Sequence, residues 1–183
     1  MKALHIVGRK NHGKTLLVSD LVRELVARGV RVGVVKHCGH EHELDTPGKD
    51  SFLHREAGAT PVAVLTPSLT AVYQTRPVGS EALEGMGAVF AACDLVLIEG
   101  YVDGPGPKME VWRAALGTPT IHSERTGIAC VVSDDPVEAS VPIYPRCDIA
   151  ALADKALELA GRPNAPPEAG LPAFPAGDYC RRR

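Results

Sequence analysis

Gly8-Arg9-Lys10-Asn11-His12-Gly13-Lys14-Thr15 is the stretch that decides the fold. A mostly apolar run, residues 3–7, precedes it, and apolar residues at helical spacing follow it. A strand that leads through G-x-x-x-x-G-K-[ST] into a helix is the setting of the phosphate-binding loop. Its glycines let backbone N–H groups approach an anion. Lys14 supplies a charge for the β- and γ-phosphates and Thr15 a hydroxyl for Mg²⁺. The stretch therefore predicts a nucleotide site.

Length, composition and charge narrow the class of protein. The chain has 183 residues, of which 45% are hydrophobic, which is enough for one full core. A net charge of −2 indicates attraction neither to nucleic acid nor to an anionic membrane. We find no signal-peptide pattern and no apolar run of membrane-spanning length, so we expect a cytoplasmic protein. We predict one nucleotide-binding domain over residues 1–161, followed by a proline-rich tail over residues 162–183 that buries no core.

Strand and helix patterns alternate along the chain. Helices are predicted from Lys14 to Arg28, after Pro47, from about Ser80 to Ala92, and after an Asp148 cap. Strands are predicted at residues 31–36, 61–66, 71–75, 93–99, 108–113, 128–132 and 141–144. This alternation indicates an α/β protein, and together with the phosphate-binding loop it predicts a three-layer P-loop NTPase fold. We expect a mostly parallel sheet with a possible edge β-hairpin over residues 61–75.

Charged residues follow two of the predicted strands at the edge where parallel sheets bind ligands. Lys36 and His37 end one strand, where Lys36 either contacts phosphate or substrate or is a solvated strand end. The apolar run 95–98 ends in Glu99 and Gly100. A buried strand that delivers a carboxylate beside the phosphate loop is how such proteins hold Mg²⁺ or its waters. We therefore expect Glu99 to join Thr15 at a metal site.

Asp45 and Asp50 lie between the second predicted strand and the next helix. An acidic loop at this place in a phosphate-loop protein can reach Mg²⁺ and the attacking water, so both residues are candidates for catalysis. The alternative is helix capping and interaction with the helix dipole. Either aspartate can serve the second purpose, and Asp50 can serve both.

Two further stretches allow two interpretations each. Asp134 and Asp135 follow a buried strand, where a carboxylate can pair with the N1–H and N2–H₂ donors of guanine or make a turn before Pro136. Residues 37–42 hold three histidines and Cys38. They are either metal ligands or a polar loop beside the nucleotide, because structural zinc sites usually combine two separated ligand pairs.

The stretches taken together resemble a known family. They occur in one order over about residues 2–160 and are Gly8 to Thr15, Val34-Val35-Lys36-His37, Asp45 to Ser51 with Ala57-Gly58-Ala59, Leu97-Ile98-Glu99-Gly100-Tyr101, and Lys108 to Arg113. In this combination the sequence resembles the MobB family, the molybdopterin-guanine dinucleotide biosynthesis adapters. It departs from the usual pattern at Leu16, where a second threonine is common, and at His12, which is bulkier than the usual small residue.

The resemblance implies a GTP-binding homodimer with weak GTP hydrolysis at most. It further implies that the protein assists a MobA-type guanylyltransferase, which joins GTP to molybdopterin. Lys14 and the loop amides would hold the phosphates, and Thr15 and Glu99 the Mg²⁺. Asp45 or Asp50 would hold water or metal. Lys36, His37 and Lys49 would face the partner or the pterin, and Arg9 and Lys10 would reach across the dimer interface.

Two rival functions remain open on the sequence. The first is a P-loop small-molecule kinase or ATP-dependent ligase, which would carry a second substrate pocket near Lys36. The second is a metal-handling GTPase that uses His37, Cys38, His40 and His42.

Overall fold

The computed structural model describes residues 2–76 and 83–161. The chain forms two compact units, one of Met1–His37 with the chain from Ala88 onward, and the other of Cys38–Gly87. The boundary that we predict between residues 161 and 162 lies at the limit of the described chain and stays a prediction. The predicted tail lies outside the described residues.

A six-stranded sheet forms the centre of the first unit. Its strands are β1 Ala3–Val7, β2 Val32–Lys36, β5 Leu95–Glu99, β6 Lys108–Val111, β7 Ile128–Val132 and β8 Ile143–Tyr144. They lie in the order β2-β5-β1-β6-β7-β8, and every neighbouring pair is parallel. The predicted α/β class with a mostly parallel sheet is therefore confirmed.

Helices α1 Lys14–Ala27 and α3 Ile149–Leu159 cover one face of this sheet. Alternate residues of a strand face opposite sides, so β1 contributes Leu4 and Ile6 to this face. They pack with Leu17, Leu21, Leu25, Leu97, Met109, Leu152 and Ala156 in the main core. Asp148 caps α3 as predicted, since its Oδ1 accepts from Ala151 N at 3.0 Å.

Loops of the first unit cover part of the opposite face of the sheet. His5 faces this side and is bonded through Nε2 to Pro105 O at 2.8 Å. Val7 packs there with Ile121 and Ile128 in a small second core. These loops run from the carboxyl ends of β5 and β6, so they begin at the edge where the phosphate loop lies.

The second unit contains helix α2 Asp50–Glu56 and the strands β3 Val62–Leu65 and β4 Thr70–Tyr73. The two strands form the predicted hairpin, but as an antiparallel two-stranded sheet of their own and not as an edge of the large sheet. Among the described residues of this unit, Val62 is the only buried hydrophobic one.

One predicted helix is wrong over the part that the structure describes. Residues 83–92 form consecutive turns, and residues 80–82 lie outside the described chain. Gly85 adopts a φ of +76° and Gly87 follows two residues later. Each glycine costs about 1 kcal/mol relative to alanine inside a helix, so this pair opposes the apolar spacing on which the prediction rested.

Candidate nucleotide site

The carboxyl ends of β1, β2 and β5 meet at one edge of the large sheet. Strand β5 lies between the other two, and its register pairs Glu99 with both Ile6 and Lys36. The loop after β1 is therefore brought beside Glu99, although more than eighty residues separate them in the sequence. The residues predicted from separate motifs, Thr15, Lys36 and Glu99, do meet at this edge.

The loop of residues 8–13 has the backbone conformation that its glycines allow. Gly8 has a φ of +147°, and a Cβ there would lie 2.5 Å from Val111 O, so only glycine fits between β1 and β6. Gly13 has a φ of +98° and Asn11 a φ of +69°. The Lys14 Nζ donates to Gly8 O at 2.8 Å and to Arg9 O at 2.7 Å, so the ammonium lies over its own loop.

Burial and charge act together on Lys14. Partial burial lowers the pKa of its ammonium, while the nearby Glu99 carboxylate raises it and Lys36 adds a smaller lowering effect. A cation held in a partly desolvated loop interacts more strongly with an anion than the same cation in water does. This loop therefore offers a suitable place for a polyphosphate.

Thr15 and Glu99 form an oxygen pair beside the loop. The Thr15 hydroxyl donates to Glu99 Oε1 at 2.6 Å, and the Lys36 Nζ lies 3.5 Å from the same oxygen. Glu99 is buried, with 8% of its surface exposed. Mg²⁺ prefers hard oxygen ligands and is usually held by one or two side chains together with phosphates and waters. The hydroxyl and the carboxylate fit such an ion.

His12 joins the phosphate loop to the segment that follows β6. Its ring is fully buried, Nδ1 accepts from Arg113 N at 2.9 Å, and Nε2 lies 2.9 Å from Thr118 Oγ1. Because Nδ1 accepts, the proton of the neutral ring is on Nε2, which donates to the threonine. Burial lowers the pKa of His12, and the charges of Lys14, Arg9 and Arg113 lower it further. The bulky residue in this loop therefore has a structural role.

Trp112 and Glu110 hold the segment after β6, and the sequence analysis did not assign either residue to the site. Trp112 Nε1 donates to Thr118 O at 2.9 Å, which holds the partner of His12. The buried Glu110 carboxylate accepts from Ile121 N at 2.5 Å and from His122 N at 2.8 Å. The available signal was a glutamate inside an apolar strand pattern, because such a group is buried only with hydrogen-bond partners.

His37 leaves the end of β2 and stacks on Tyr101. The two ring centroids are 4.4 Å apart with 19° between the planes. Gly100, between Glu99 and Tyr101, has a φ of +88°, and a Cβ there would lie 3.1 Å from His37 O. The glycine after the buried strand is thus required by the close approach of β2 and by its own backbone conformation.

Of the residues predicted to act in catalysis or across an interface, Asp45 and Arg9 are engaged with other residues of their own units. Asp45 and Asp50 belong to the second unit, where Asp45 lies 3.8 Å from Arg55 Nε and Asp50 begins α2. Arg9 is engaged within the chain, at 2.5 Å from Glu124 and 3.0 Å from Pro119 O. Lys10 is exposed. Contacts of these residues with water, metal or a second subunit stay predictions.

Metal-ligand groups were sought throughout the part of the chain that the structure describes. No group of three or more His, Cys, Asp or Glu side chains there is placed to hold a metal ion. The His40 and His42 rings contact each other at 4.6 Å. In those same described residues, no helix has the length and apolarity needed to cross a bilayer.

A cavity of about 420 Å³ opens beside the phosphate loop within the first unit. Gly13 and Leu16 line it from the loop and α1, and Asp134 and Asp135 line it from the end of β7. The two aspartates that the sequence singled out for guanine therefore face the same cavity.

The fold and the loop together define an α/β protein of the P-loop class. Comparison with known families then identifies the family within that class. The family model for molybdopterin guanine dinucleotide synthesis protein B, MobB, matches residues 3–134. The chain belongs to this family.

Relatives and solved structures agree with that assignment. The chain is 34% identical over 137 residues to the molybdopterin-guanine dinucleotide biosynthesis adapter protein of Haemophilus influenzae, covering 74% of this chain and 76% of that protein. It is 33% identical over 151 residues to the protein of the same name from Escherichia coli, covering 80% and 86%. The crystal structure of a MobB protein homolog from Bacillus stearothermophilus is similar with a TM-score of 0.63 and 26% identity, covering 88% of this chain and 99% of that one.

Proposed function

We propose that the protein is a GTP-binding adapter in molybdopterin guanine dinucleotide biosynthesis, where it assists guanylylation of molybdopterin. The observation that carries the proposal is the loop of residues 8–15 with Lys14 over it and the Thr15–Glu99 pair beside it. Membership of the MobB family supplies the pathway. The backbone amides of Gly8 to Thr15 and the Lys14 ammonium would hold the nucleotide, with Lys36 and His37 at the neighbouring strand end.

The nucleotide would bind together with Mg²⁺. Thr15 and Glu99 would hold the ion, and Lys36 beside Glu99 would add positive charge near the phosphates. When bound, Mg²⁺ would neutralise phosphate charge. Asp45 or Asp50 would position water or metal, and hydrolysis would be weak.

The family resemblance implies the partners and the compartment of the protein. The protein would act as a homodimer in the cytoplasm, together with a MobA-type guanylyltransferase and molybdopterin. Lys10 is the exposed loop cation available to reach across the dimer interface, since Arg9 is already paired with Glu124. The tail over residues 162–183 would be an addition to the nucleotide-binding domain.

A titration of the full chain with GTP and with ATP, each with and without Mg²⁺, tests the nucleotide assignment. We expect GTP to bind more tightly than ATP and Mg²⁺ to strengthen binding. Lys14→Ala should weaken GTP binding about tenfold or more, because a hydrogen bond to a charged group contributes about 1.5–3 kcal/mol.

Lys10→Ala is the matched control, since Lys10 is an exposed lysine of the same loop. It should leave GTP affinity nearly unchanged. Equal loss of affinity in both variants would contradict the role of Lys14. Preference for ATP with rapid turnover would instead favour the kinase or ligase, and retained GTP binding without capture of a purified MobA-type enzyme would contradict the adapter role.

A further inference from the structure

The cavity beside the phosphate loop is of a size and place suited to the base of a nucleotide. Its volume of about 420 Å³ falls in the ordinary range of small-molecule sites, about 300–1,000 Å³. Gly13 of the loop is part of its wall, so a nucleotide whose phosphates lie on the loop has the cavity beside it.

The sheet order sets the direction in which a nucleotide would extend. Strand β6 lies next to β1, and β7 lies next to β6. Neighbouring strands are about 4.8 Å apart, so the end of β7 is about 10 Å from the end of β1 along the sheet edge. A nucleoside whose phosphates lie at the β1 loop can cover that span with its sugar and present its base at the end of β7.

The walls of the cavity combine an apolar surface with carboxylates and with the Arg113 and Arg146 side chains. Leu16, in the first turn of α1, has 66% of its surface exposed and lines the cavity, as does Ala115 from the turn after β6. An exposed leucine alone is unremarkable on a protein surface. Here it offers an apolar contact for the face of a planar ring, in the same cavity as polar groups that can hydrogen-bond the edge of the ring.

Asp135 is held in a defined orientation at the end of β7. Its Oδ2 accepts from Ala114 N at 2.8 Å, and its backbone N donates to Ser133 Oγ at 3.0 Å. The Ser133 hydroxyl in turn donates to Asp135 O at 3.1 Å. The carboxylate therefore faces the cavity in a fixed position, with further acceptor capacity on both oxygens.

Asp134 is hydrogen-bonded to a different segment of the chain from Asp135. Its Oδ1 accepts from Cys147 N at 3.0 Å, and the side chain is exposed. The Cys147 N–H lowers the pKa of the Asp134 carboxyl, in agreement with a carboxylate engaged at that backbone. Asp134 thus joins β7 to the segment before α3, whereas Asp135 lies against the turn that forms the cavity wall.

We infer that Asp135 is the specificity-determining residue that selects guanine, by accepting hydrogen bonds from N1–H and N2–H₂ while Leu16 contacts the ring. Guanine presents two adjacent donors to the two carboxylate oxygens. Adenine presents an acceptor at its N1, which would face a carboxylate oxygen without a proton between them, and this rejects the wrong base. The inference rests on the proposed function and names the group that gives it base specificity.

Binding of GTP, XTP and ATP to the full chain and to Asp135→Asn tests this assignment. Xanthine has a carbonyl at C2 where guanine has an amine, so an asparagine amide can donate to xanthine but leaves a guanine donor unpaired. We expect Asp135→Asn to lose about tenfold or more in GTP affinity, as for loss of a bidentate base contact, and to gain affinity for XTP. A gain of binding cannot come from unfolding, and the amide oxygen can still accept from Ala114 N.

Asp134→Asn changes the other carboxylate of the cavity wall and should keep the preference for GTP, because Asp134 is bonded to Cys147 N and not to the turn of the cavity wall. If Asp135→Asn leaves the preference for GTP over XTP unchanged, or if Asp134→Asn alone reverses it, the assignment to Asp135 is overturned while GTP binding by the unchanged chain stands. If the unchanged chain binds ATP as tightly as GTP, the proposed function fails, and the inference fails with it. The two failures are distinguished because the second is seen without any substitution.

Discussion

His12 connects the phosphate loop to the rest of the first unit, and its contribution to stability depends on pH. Its neutral ring accepts from Arg113 N and donates to Thr118, and its pKa is lowered by burial and by Lys14, Arg9 and Arg113. Below the ordinary value of 6.5, the unfolded chain binds a proton here that the folded chain does not. The contribution of His12 to stability is therefore present above that pH and is lost as the pH falls through the lower, folded pKa.

We expect the free energy of unfolding to decrease between about pH 7.5 and about pH 5.5, and to decrease less in His12→Asn. Denaturant unfolding at several pH values measures this. Part of the dependence should remain, because burial also lowers the pKa of His5. His54→Asn replaces an exposed histidine on α2 and is the control. A pH dependence in His12→Asn as steep as that of the unchanged chain would contradict the role assigned to His12.

In the segment formed by β1, the loop and α1, substitutions at Gly8 and Gly13 should have different effects on stability and on ligand binding. A Cβ on Gly8 meets Val111 O at 2.5 Å, whereas a Cβ on Gly13 meets nothing within 4 Å. Gly8→Ala should therefore cost more than the backbone strain alone, which is about 1–3 kcal/mol for such conformations, because β1 and β6 must also move apart.

Gly13→Ala should cost only the backbone strain, but it places a methyl group in the cavity wall and should weaken GTP binding. Thermal unfolding and nucleotide titration of the two variants measure both effects. Equal losses of stability in the two variants would contradict this prediction, because they would mean that β1 and β6 move apart at no cost.

Sequence patterns correctly predicted the elements that are specified by one continuous stretch of residues. The loop, α1 and the buried strand that ends in Glu99 each occupy one continuous stretch whose spacing specifies the element. The support for His12 could not be found in this way, because its contacts join residues about a hundred positions apart. Hydrophobic periodicity says nothing about such polar pairs. It also misled at residues 83–92, which form turns and where Gly85 and Gly87 oppose a helix.

At the scale of the whole molecule, the second unit carries more apolar surface than its own core can cover. Leu65, Leu69 and Val72 are 75%, 62% and 57% exposed. The hairpin register pairs Ala63 with Val72 and Leu65 with Thr70, so Leu65 and Val72 share one face. A two-stranded hairpin is marginally stable alone, and a contiguous apolar patch marks an interaction surface. This face therefore suits the proposed homodimer.

Leu65→Glu combined with Val72→Glu should convert the dimer to a monomer in size-exclusion chromatography with light scattering, because burying two carboxylates in an interface is costly without partners. GTP affinity per chain should change little, since the phosphate loop and its cavity belong to the first unit. Val26→Glu, at a 55% exposed valine on α1, is the control and should leave the dimer intact. A double variant that remains dimeric would place the interface elsewhere, and dissociation of the control as well would show that the hairpin face is not the specific contact.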